Sequence, residues 1–297
     1  MNVKIAAIGE ILFDVYPNYK KLGGAPFNFL YHIWKLTGNG KFISSVGNDD
    51  EGNEILHKLQ NRNFDVSEIQ IDDKHPTGLV EVNLDENKVP EFNILENRAY
   101  DFIPMNSNLT QIVESSDLFY FGTLAQRNDI TRGTIDKLAN INTNKFCDLN
   151  IRQNFYNKEI INNSLVKSNV LKLNFEELEL VNKLLLGDEF QFERTAFAVV
   201  EKYNIDLLCI TLGEKGAYLF KGDEKSHYKE SVDKIVDTVG AGDAYASILA
   251  IGYLLGWKLS RINELASKFS AEICTIEGAI PDDDNFYNKY RERIKNE

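Results

Sequence analysis

The sequence predicts an α/β protein built on a mostly parallel sheet with helices on both faces. Short apolar runs rich in β-branched and aromatic residues alternate with helix-length amphipathic segments along the chain. This alternation is typical of βαβ units, whose parallel strands are buried on both faces. The chain has 297 residues, a length that one large α/β domain can reach. We therefore expect a single domain over residues 1–297.

The predicted elements follow one another as strand and helix. The strands are expected at 3–8, 42–46, 118–121, 145–149, 170–173 and 207–211. The helices between them are expected at 26–36, 53–60, 131–139 and 176–186. A further apolar run after residue 240 ends at Gly256, which predicts a helix near the carboxyl end of the chain.

Two segments break this alternation and predict a small separate sheet. Residues 78–84 and 88–95 flank a polar turn at 85–87, a pattern typical of a β-hairpin, and residues 12–16 read as a third strand. We expect lid segments at about 12–20 and 76–98, over the carboxyl ends of the parallel strands where ligands of α/β sheets bind. Because unpaired strand edges favour association, a homodimer through the lid is a further expectation.

Composition excludes several classes of protein. The chain has 33 basic and 45 acidic residues and a net charge of −12, which argues against broad neutralisation of nucleic-acid phosphates but not against a bound nucleotide. Its three cysteines form no C-x-x-C pair, so neither a disulfide framework nor a zinc site is expected. The sequence contains no apolar run of roughly 18 residues and no signal-peptide pattern at its start. We expect no membrane partner and a cytoplasmic location.

The segment from Asp237 to Tyr245 carries the strongest chemical signal. Gly240, Ala241 and Gly242 occupy the first turn of the predicted helix, where small side chains leave the free backbone N–H groups open to a phosphate. Asp243 follows directly, in a position to accept a proton from a hydroxyl nucleophile. The alternative is a glycine turn with an ordinary aspartate near a helix start.

A second glycine pair precedes the first predicted helix. Gly23 and Gly24 stand just before Pro26, which suits the first turn of a helix, so the backbone can approach a ligand closely. Asn28, on that first turn, offers a donor and an acceptor to sugar hydroxyls.

These two segments together resemble the two signatures of the ribokinase-like (PfkB) carbohydrate kinase family. The resemblance implies a ribokinase-like sheet sandwiched by helices, with a small β-lid over the sugar. It also implies transfer of a phosphoryl group from ATP, with Mg²⁺, to a hydroxymethyl group of a small sugar, for which fructose is favoured. Asp243 would act as the base, and Gly240–Gly242 as the anion hole.

Other stretches resemble the family in chain order. Asp14 resembles its sugar-binding aspartate, and Asn174 and Glu177 resemble its N-x-x-E motif, which is associated with magnesium and phosphate. Glu177 is expected to act on Mg²⁺ through water, and a simple capping pair at a helix start is the alternative. Thr211 and Gly213 resemble the nucleotide-binding turn, although a plain β-turn would look the same.

Arg152 ends a stretch, Asp148 to Arg152, that resembles the D-x-N-x-R segment of fructokinases and 2-keto-3-deoxygluconate kinases, and it is expected to pair with phosphate or carboxylate. Asp237, together with segment 275–281, resembles a K⁺ site. The lid sequence around Arg98 departs from the fructokinase pattern, and this departure leaves the sugar open.

The alternatives belong to two classes. Two are enzymes with the same fold, a 2-keto-3-deoxygluconate kinase and a nucleoside kinase. The other is a non-catalytic sensor that binds a sugar or a nucleotide. Asp243 argues against the sensor, because binding alone needs no base there. The sequence has no P-loop, nucleophile elbow or H-E-x-x-H motif, and its four histidines are scattered.

Overall fold

A nine-stranded sheet forms the centre of the molecule in the computed structural model, which describes residues 3–84, 90–232 and 234–295. Its strands are β1 (Ile5–Ile8), β4 (Lys41–Gly47), β5 (Ile69–Asp72), β8 (Leu118–Phe121), β9 (Asn144–Asp148), β10 (Val170–Asn174), β11 (Leu207–Thr211), β12 (Ala217–Lys221) and β13 (Glu224–Tyr228). They lie in the order β13-β12-β11-β10-β9-β8-β1-β4-β5. Every pair from β5 to β11 is parallel, and β12 and β13 are added antiparallel.

A second, four-stranded sheet contains β2 (Leu12–Val15), β3 (Lys20–Gly23), β6 (Gly78–Leu84) and β7 (Pro90–Ile94), in the order β3-β2-β6-β7. The hairpin of β6 and β7 was expected, and residues 85–89, which hold its turn and the start of its predicted second strand, lie outside the described residues. The sequence pattern did not predict β3. Its two consecutive lysines show no apolar alternation, and it is a strand because it pairs with β2.

Ten helices are described, and their bounds are α1 (Ala25–Thr37), α2 (Asp50–Asn61), α3 (Ser107–Glu114), α4 (Asp129–Leu138), α5 (Lys158–Val166), α6 (Phe175–Val181), α7 (Phe192–Tyr203), α8 (Ala241–Leu254), α9 (Leu259–Ile273) and α10 (Asn288–Lys295). The four helices predicted between the strands are present within a few residues of their expected ends. The last of them, expected at 176–186, divides into α6 and a π-helical turn over Asn182–Leu186.

Two hydrophobic cores lie on opposite faces of the large sheet. Alternate residues of β1 point to opposite sides: Ile5 and Ala7 belong to one core, and Ala6 and Ile8 belong to the other. Helices α1, α8 and α9 cover the first core, and α4, α5 and α7 cover the second. The predicted fold, a mostly parallel sheet between layers of helices, is confirmed.

The small sheet packs on a third apolar cluster that includes Leu12, Val80, Ile94 and Tyr100. Its roles as a lid and as a surface for a second subunit stay predictions, as does the single-domain organisation. Among the described helices, none is both long and apolar enough to cross a membrane.

Candidate active site

A cavity of about 410 Å³ lies where the two sheets face each other. Its floor comes from residues at the carboxyl ends of parallel strands: Glu10 just after β1, Asp148 at the end of β9, Asn174 at the end of β10 and Thr211 at the end of β11. Its other wall comes from the small sheet, through Leu12, Asp14, Val80, Phe92 and Ile94. This is the edge of an open α/β sheet at which ligands bind.

The amino end of α8 opens into this cavity. Gly240, its N-cap residue, has φ 77°, and a Cβ there would lie 2.2 Å from the Cβ of Ala279, so only glycine fits. The Ala244 N–H donates to the Gly240 carbonyl at 2.9 Å, and the Ala241 N–H donates to the Thr238 carbonyl at 3.3 Å. The N–H groups of Gly242 and Asp243 belong to the first helical turn, which has no intrahelical acceptor for them. Free N–H groups at a helix start are suited to an anion, and the anion hole stays a prediction.

Asp243 lies half-buried in this first turn of α8. Its Oδ2 accepts a hydrogen bond from Asn28 Nδ2, 2.8 Å away, which joins α8 to α1 across 215 residues of sequence. Desolvation and, after it, the charge of Asp148 raise the pKa of the Asp243 carboxyl to about 6, against the opposing effect of the Asn28 hydrogen bond. The group is therefore a carboxylate at neutral pH that can accept a proton.

Two more carboxyl groups line the same part of the cavity. Burial raises the pKa of Asp14 to about 6, against the opposing charge of Arg152. Burial likewise raises the pKa of Glu10 to about 7, and this shift is opposed by its own backbone N–H. Arg152 is exposed, lines the cavity and lowers the pKa of all three acids, Asp243 included.

The two glycines before α1 give these groups room. A Cβ on Gly23 would lie 2.8 Å from Asp14 Oδ2, and a Cβ on Gly24 would lie 2.4 Å from the Glu10 carbonyl oxygen. Gly24 also has φ 112°, a backbone angle that residues with a side chain rarely adopt. The glycine pair thus lets α1 begin against the ends of β1 and β2 without displacing the acids.

Asn174 and Glu177 form a reciprocal cap at the start of α6. Asn174 Oδ1 accepts from the Glu177 N–H at 2.8 Å, and Glu177 Oε2 accepts from the Asn174 N–H at 2.8 Å. Glu177 Oε1 accepts from the Ile151 N–H at 2.7 Å and so holds the loop that carries Arg152. The capping pair given as the alternative is therefore present, and both residues also line the cavity. A role of Glu177 toward Mg²⁺ stays a prediction.

Lys172 is a residue of this site that the sequence analysis missed. Its Nζ donates to Asp148 Oδ1 at 2.9 Å and to Asp148 Oδ2 at 2.8 Å, and Tyr120 donates to Oδ2 at 3.2 Å. The ammonium also lies 3.4 Å from the position of a Cβ on Gly242, at the start of α8. The sequence contained one sign of this role, because Lys172 stands within the otherwise apolar residues 170–173 of strand β10. Glu10 gave a similar signal as an acid directly after a buried strand.

Some predicted site residues do not line the cavity. Ala241, Gly213 and Gly23 lie outside its lining, and the turn at Gly213 (φ 58°) is open to solvent. Asp237 also lies outside the lining: its Oδ1 accepts from the Val239 N–H at 3.0 Å, and its Oδ2 accepts from the Gly278 N–H at 2.9 Å. The carboxylate thereby ties the loop before α8 to segment 275–281.

Comparison with known proteins identifies the family. The model of the pfkB family of carbohydrate kinases matches residues 4–285. The sequence is 29% identical to a fructokinase of Salmonella typhimurium over 268 residues, which are 84% of this chain and 84% of that protein.

Two solved structures have the same fold. One is the crystal structure of an uncharacterized sugar kinase from Pyrococcus horikoshii in complex with ATP, with a TM-score of 0.81 and 26% identity over 98% of this chain and 99% of that one. The other is a fructokinase from Vibrio cholerae O395 in fructose, ADP and calcium ion bound form, with a TM-score of 0.80 and 22% identity over 96% and 98% of the two chains. The predicted fold and enzyme class are confirmed, and the chain belongs to the pfkB family of carbohydrate kinases.

Proposed function

We propose that this carbohydrate kinase transfers the γ-phosphoryl group of ATP to a hydroxymethyl group of a small neutral sugar, most favourably D-fructose. The observation that carries the proposal is the juxtaposition of Asp243, a half-buried carboxylate, with the open N–H groups at the start of α8. The relatives named above support the same assignment, since one is a fructokinase and another was crystallised with ATP.

The proposed reaction is an in-line displacement. Asp243 accepts the proton of the sugar hydroxyl while that oxygen attacks the γ-phosphorus and ADP leaves with the electron pair of the broken P–O bond. The N–H groups of Gly242 and Asp243 stabilise the charge on the transferring group. Asn28 positions the carboxylate through its 2.8 Å hydrogen bond, and the Lys172 ammonium adds positive charge behind the first turn of α8.

The residues proposed to hold the nucleotide lie at or just after the ends of strands β10 and β11. Asn174, Glu177 and Thr211 line the cavity there, and Gly213 follows Thr211 in an open turn. Within the described ranges, no group of three or more His, Cys, Asp or Glu side chains could hold a metal ion. That fits Mg²⁺, which keeps several waters and is bound largely by substrate phosphates. Glu177 would hold it through water, and the ion would supply charge neutralisation on the phosphates.

The charge of the cavity supports a neutral acceptor. Five acidic side chains and two basic ones line it: Glu10, Asp14, Asp148, Glu177 and Asp243 against Arg152 and Lys172. Lys172 is already bound by both oxygens of Asp148. A keto-deoxy acid would add a carboxylate to this mostly acidic lining, where Arg152 already offsets several acids, whereas a ketose needs only hydroxyl partners.

The first test is a coupled assay for ADP release with a panel of sugars. We expect kcat/KM for D-fructose to exceed that for 2-keto-3-deoxygluconate and for nucleosides. Asp14→Ala and Asn28→Ala should weaken the use of fructose far more than that of ATP, because each hydrogen bond lost costs about 0.5–1.5 kcal/mol. Asp223→Ala, at an exposed turn between β12 and β13, is the matched control.

Other outcomes of the panel are equally informative. A better rate with the keto-deoxy acid, selectively abolished by Arg98→Ala or Arg152→Ala, would show that fructose is the wrong sugar. ADP release with no member of the panel would favour the non-catalytic sensor.

Activation by K⁺ is a second prediction. Because both oxygens of the Asp237 carboxylate accept backbone N–H groups, the ion would be held by backbone carbonyls near Asp237 and in segment 275–281. That segment contacts Gly240 through Ala279, so an ion bound there would order the anion site. We expect faster turnover in potassium buffer than in potassium-free tetraalkylammonium buffer at equal ionic strength. Equal rates in the two buffers would rule out the site.

A further inference from the structure

Glu10 is a buried acid of the cavity that takes no part in the proposed proton transfer. Its side chain is 3% exposed and lines the cavity, and its Oε2 has no hydrogen-bond partner among the described residues. Leaving a buried polar atom without a partner is unfavourable, more so when the group carries charge. Native proteins seldom retain such a group unless a ligand, an ion or water completes it.

Glu177, which lines the same cavity, differs from Glu10 in the hydrogen-bond partners of its carboxylate. Both oxygens of Glu177 accept backbone N–H groups, from Ile151 at 2.7 Å and from Asn174 at 2.8 Å. That carboxylate is satisfied by the fold itself. Glu10 Oε2 is similarly buried but has no such partner in the part of the chain that the structure describes, so contacts within the fold do not explain its presence.

A second atom in the cavity shares this property. Asn28 uses its Nδ2 to bond Asp243, but its Oδ1 is buried without a partner within the described part of the chain. Glu10 Oε2 and Asn28 Oδ1 are both hydrogen-bond acceptors, and both residues line the cavity with Asp14 and Asp243. Buried acceptors that lack donors are suited to hydroxyl groups, each of which supplies one O–H.

The local electrostatics favour a neutral ligand over an acid. Asp243 and Arg152 both lie near enough to Glu10 to influence its protonation, in opposite directions, and Arg127 adds a further positive contribution. Arg152 also balances Asp14 and Asp243. A carboxylate on the ligand would compete with Glu10 for the same guanidinium, whereas a hydroxyl would not.

We propose that Glu10 is a sugar-binding residue whose Oε2 accepts a hydrogen bond from a hydroxyl of the acceptor sugar, and that it helps the site select neutral sugars over sugar acids. The inference rests on the proposed function, because it takes the acceptor to bind beside Asp243. It assigns Glu10 to recognition of the sugar and leaves proton transfer to Asp243.

The test compares Glu10→Gln with wild type in three measurements: KM for D-fructose, KM for ATP and the thermal unfolding temperature without ligands. We expect KM for fructose to rise about tenfold, the scale of one hydrogen bond to a charged group, with KM for ATP unchanged. The unfolding temperature should stay the same or rise, because the substitution removes the charge of a buried carboxyl group whose Oε2 has no partner among the described residues. Glu114→Gln, at an exposed position on α3, is the matched control and should change none of the three.

Deoxy analogues of fructose, each lacking one hydroxyl, identify the contact. In wild type each analogue that loses a real hydrogen bond should bind more weakly, and for one analogue Glu10→Gln should add no further loss. A Glu10→Gln enzyme with unchanged KM for fructose would contradict this inference alone, as would a marked fall in unfolding temperature, which would indicate a structural role. A wild-type enzyme that does not use fructose would contradict the proposed function instead.

Discussion

Asp243→Asn should lower kcat by about 10²–10⁴-fold, the range usual for loss of a general base. Asparagine has the same shape and still offers an oxygen to Asn28 Nδ2, so the contact between α1 and α8 is retained. It cannot accept the proton of the sugar hydroxyl. We therefore expect binding of ATP and fructose to remain close to wild type, as measured by calorimetry, while turnover in the coupled assay falls.

The pH dependence of kcat/KM in the wild-type enzyme is a second test of Asp243 as the base. Asp243 must be ionised to act, and its raised pKa of about 6 means that the ionised form is lost as pH falls through that value. Below it, kcat/KM should decline by about tenfold per pH unit. Asp223→Asn, at an exposed turn, is the control for the substitution. Turnover of Asp243→Asn within a few-fold of wild type would refute the role of Asp243 as the base.

Lys172→Met should lower the free energy of unfolding by about 3–5 kcal/mol, the cost of leaving one member of a buried ion pair without its partner. Lys172 and Asp148 are 9% and 3% exposed, and the ammonium bonds both carboxylate oxygens. Burial alone would lower the pKa of Lys172, but Asp148 holds it above its usual value. Methionine fills the volume but removes the ammonium, and of the side-chain partners of Asp148 in the described ranges the Tyr120 hydroxyl remains. Urea denaturation followed by circular dichroism measures the change.

Two companion variants show whether burial is the cause. Lys225→Met removes a lysine that pairs with Glu193 at the surface, where both side chains are about half exposed, and it should cost at most about 1 kcal/mol. Lys172→Met combined with Asp148→Leu removes both buried charges and should recover much of the lost stability. A loss in Lys172→Met no greater than that in Lys225→Met would show that the buried pair contributes little.

Local patterns determined the parts of this protein that depend on neighbours in the sequence. The alternation of apolar runs and amphipathic segments was enough for the parallel sheet and its covering helices, because burial on both faces imposes that pattern on each strand. The first turn of α8 was predictable for a similar reason. Gly240 is required where the backbone itself meets a neighbour, Ala279, and its left-handed conformation is a local requirement of the turn.

Tertiary structure alone decided which of these groups meet. Asn28 reaches Asp243 across 215 residues, and Lys172 pairs with Asp148 because β9 and β10 are neighbours in the sheet. The strand β3 exists because β2 supplies its hydrogen bonds. Glu10 is the clearest example of a residue whose role the sequence does not show. The sequence places an acid after a buried strand, and only the packing around it shows that its Oε2 lacks a partner among the described residues. Pairing and desolvation depend on distances in space, which periodicity in the sequence does not encode.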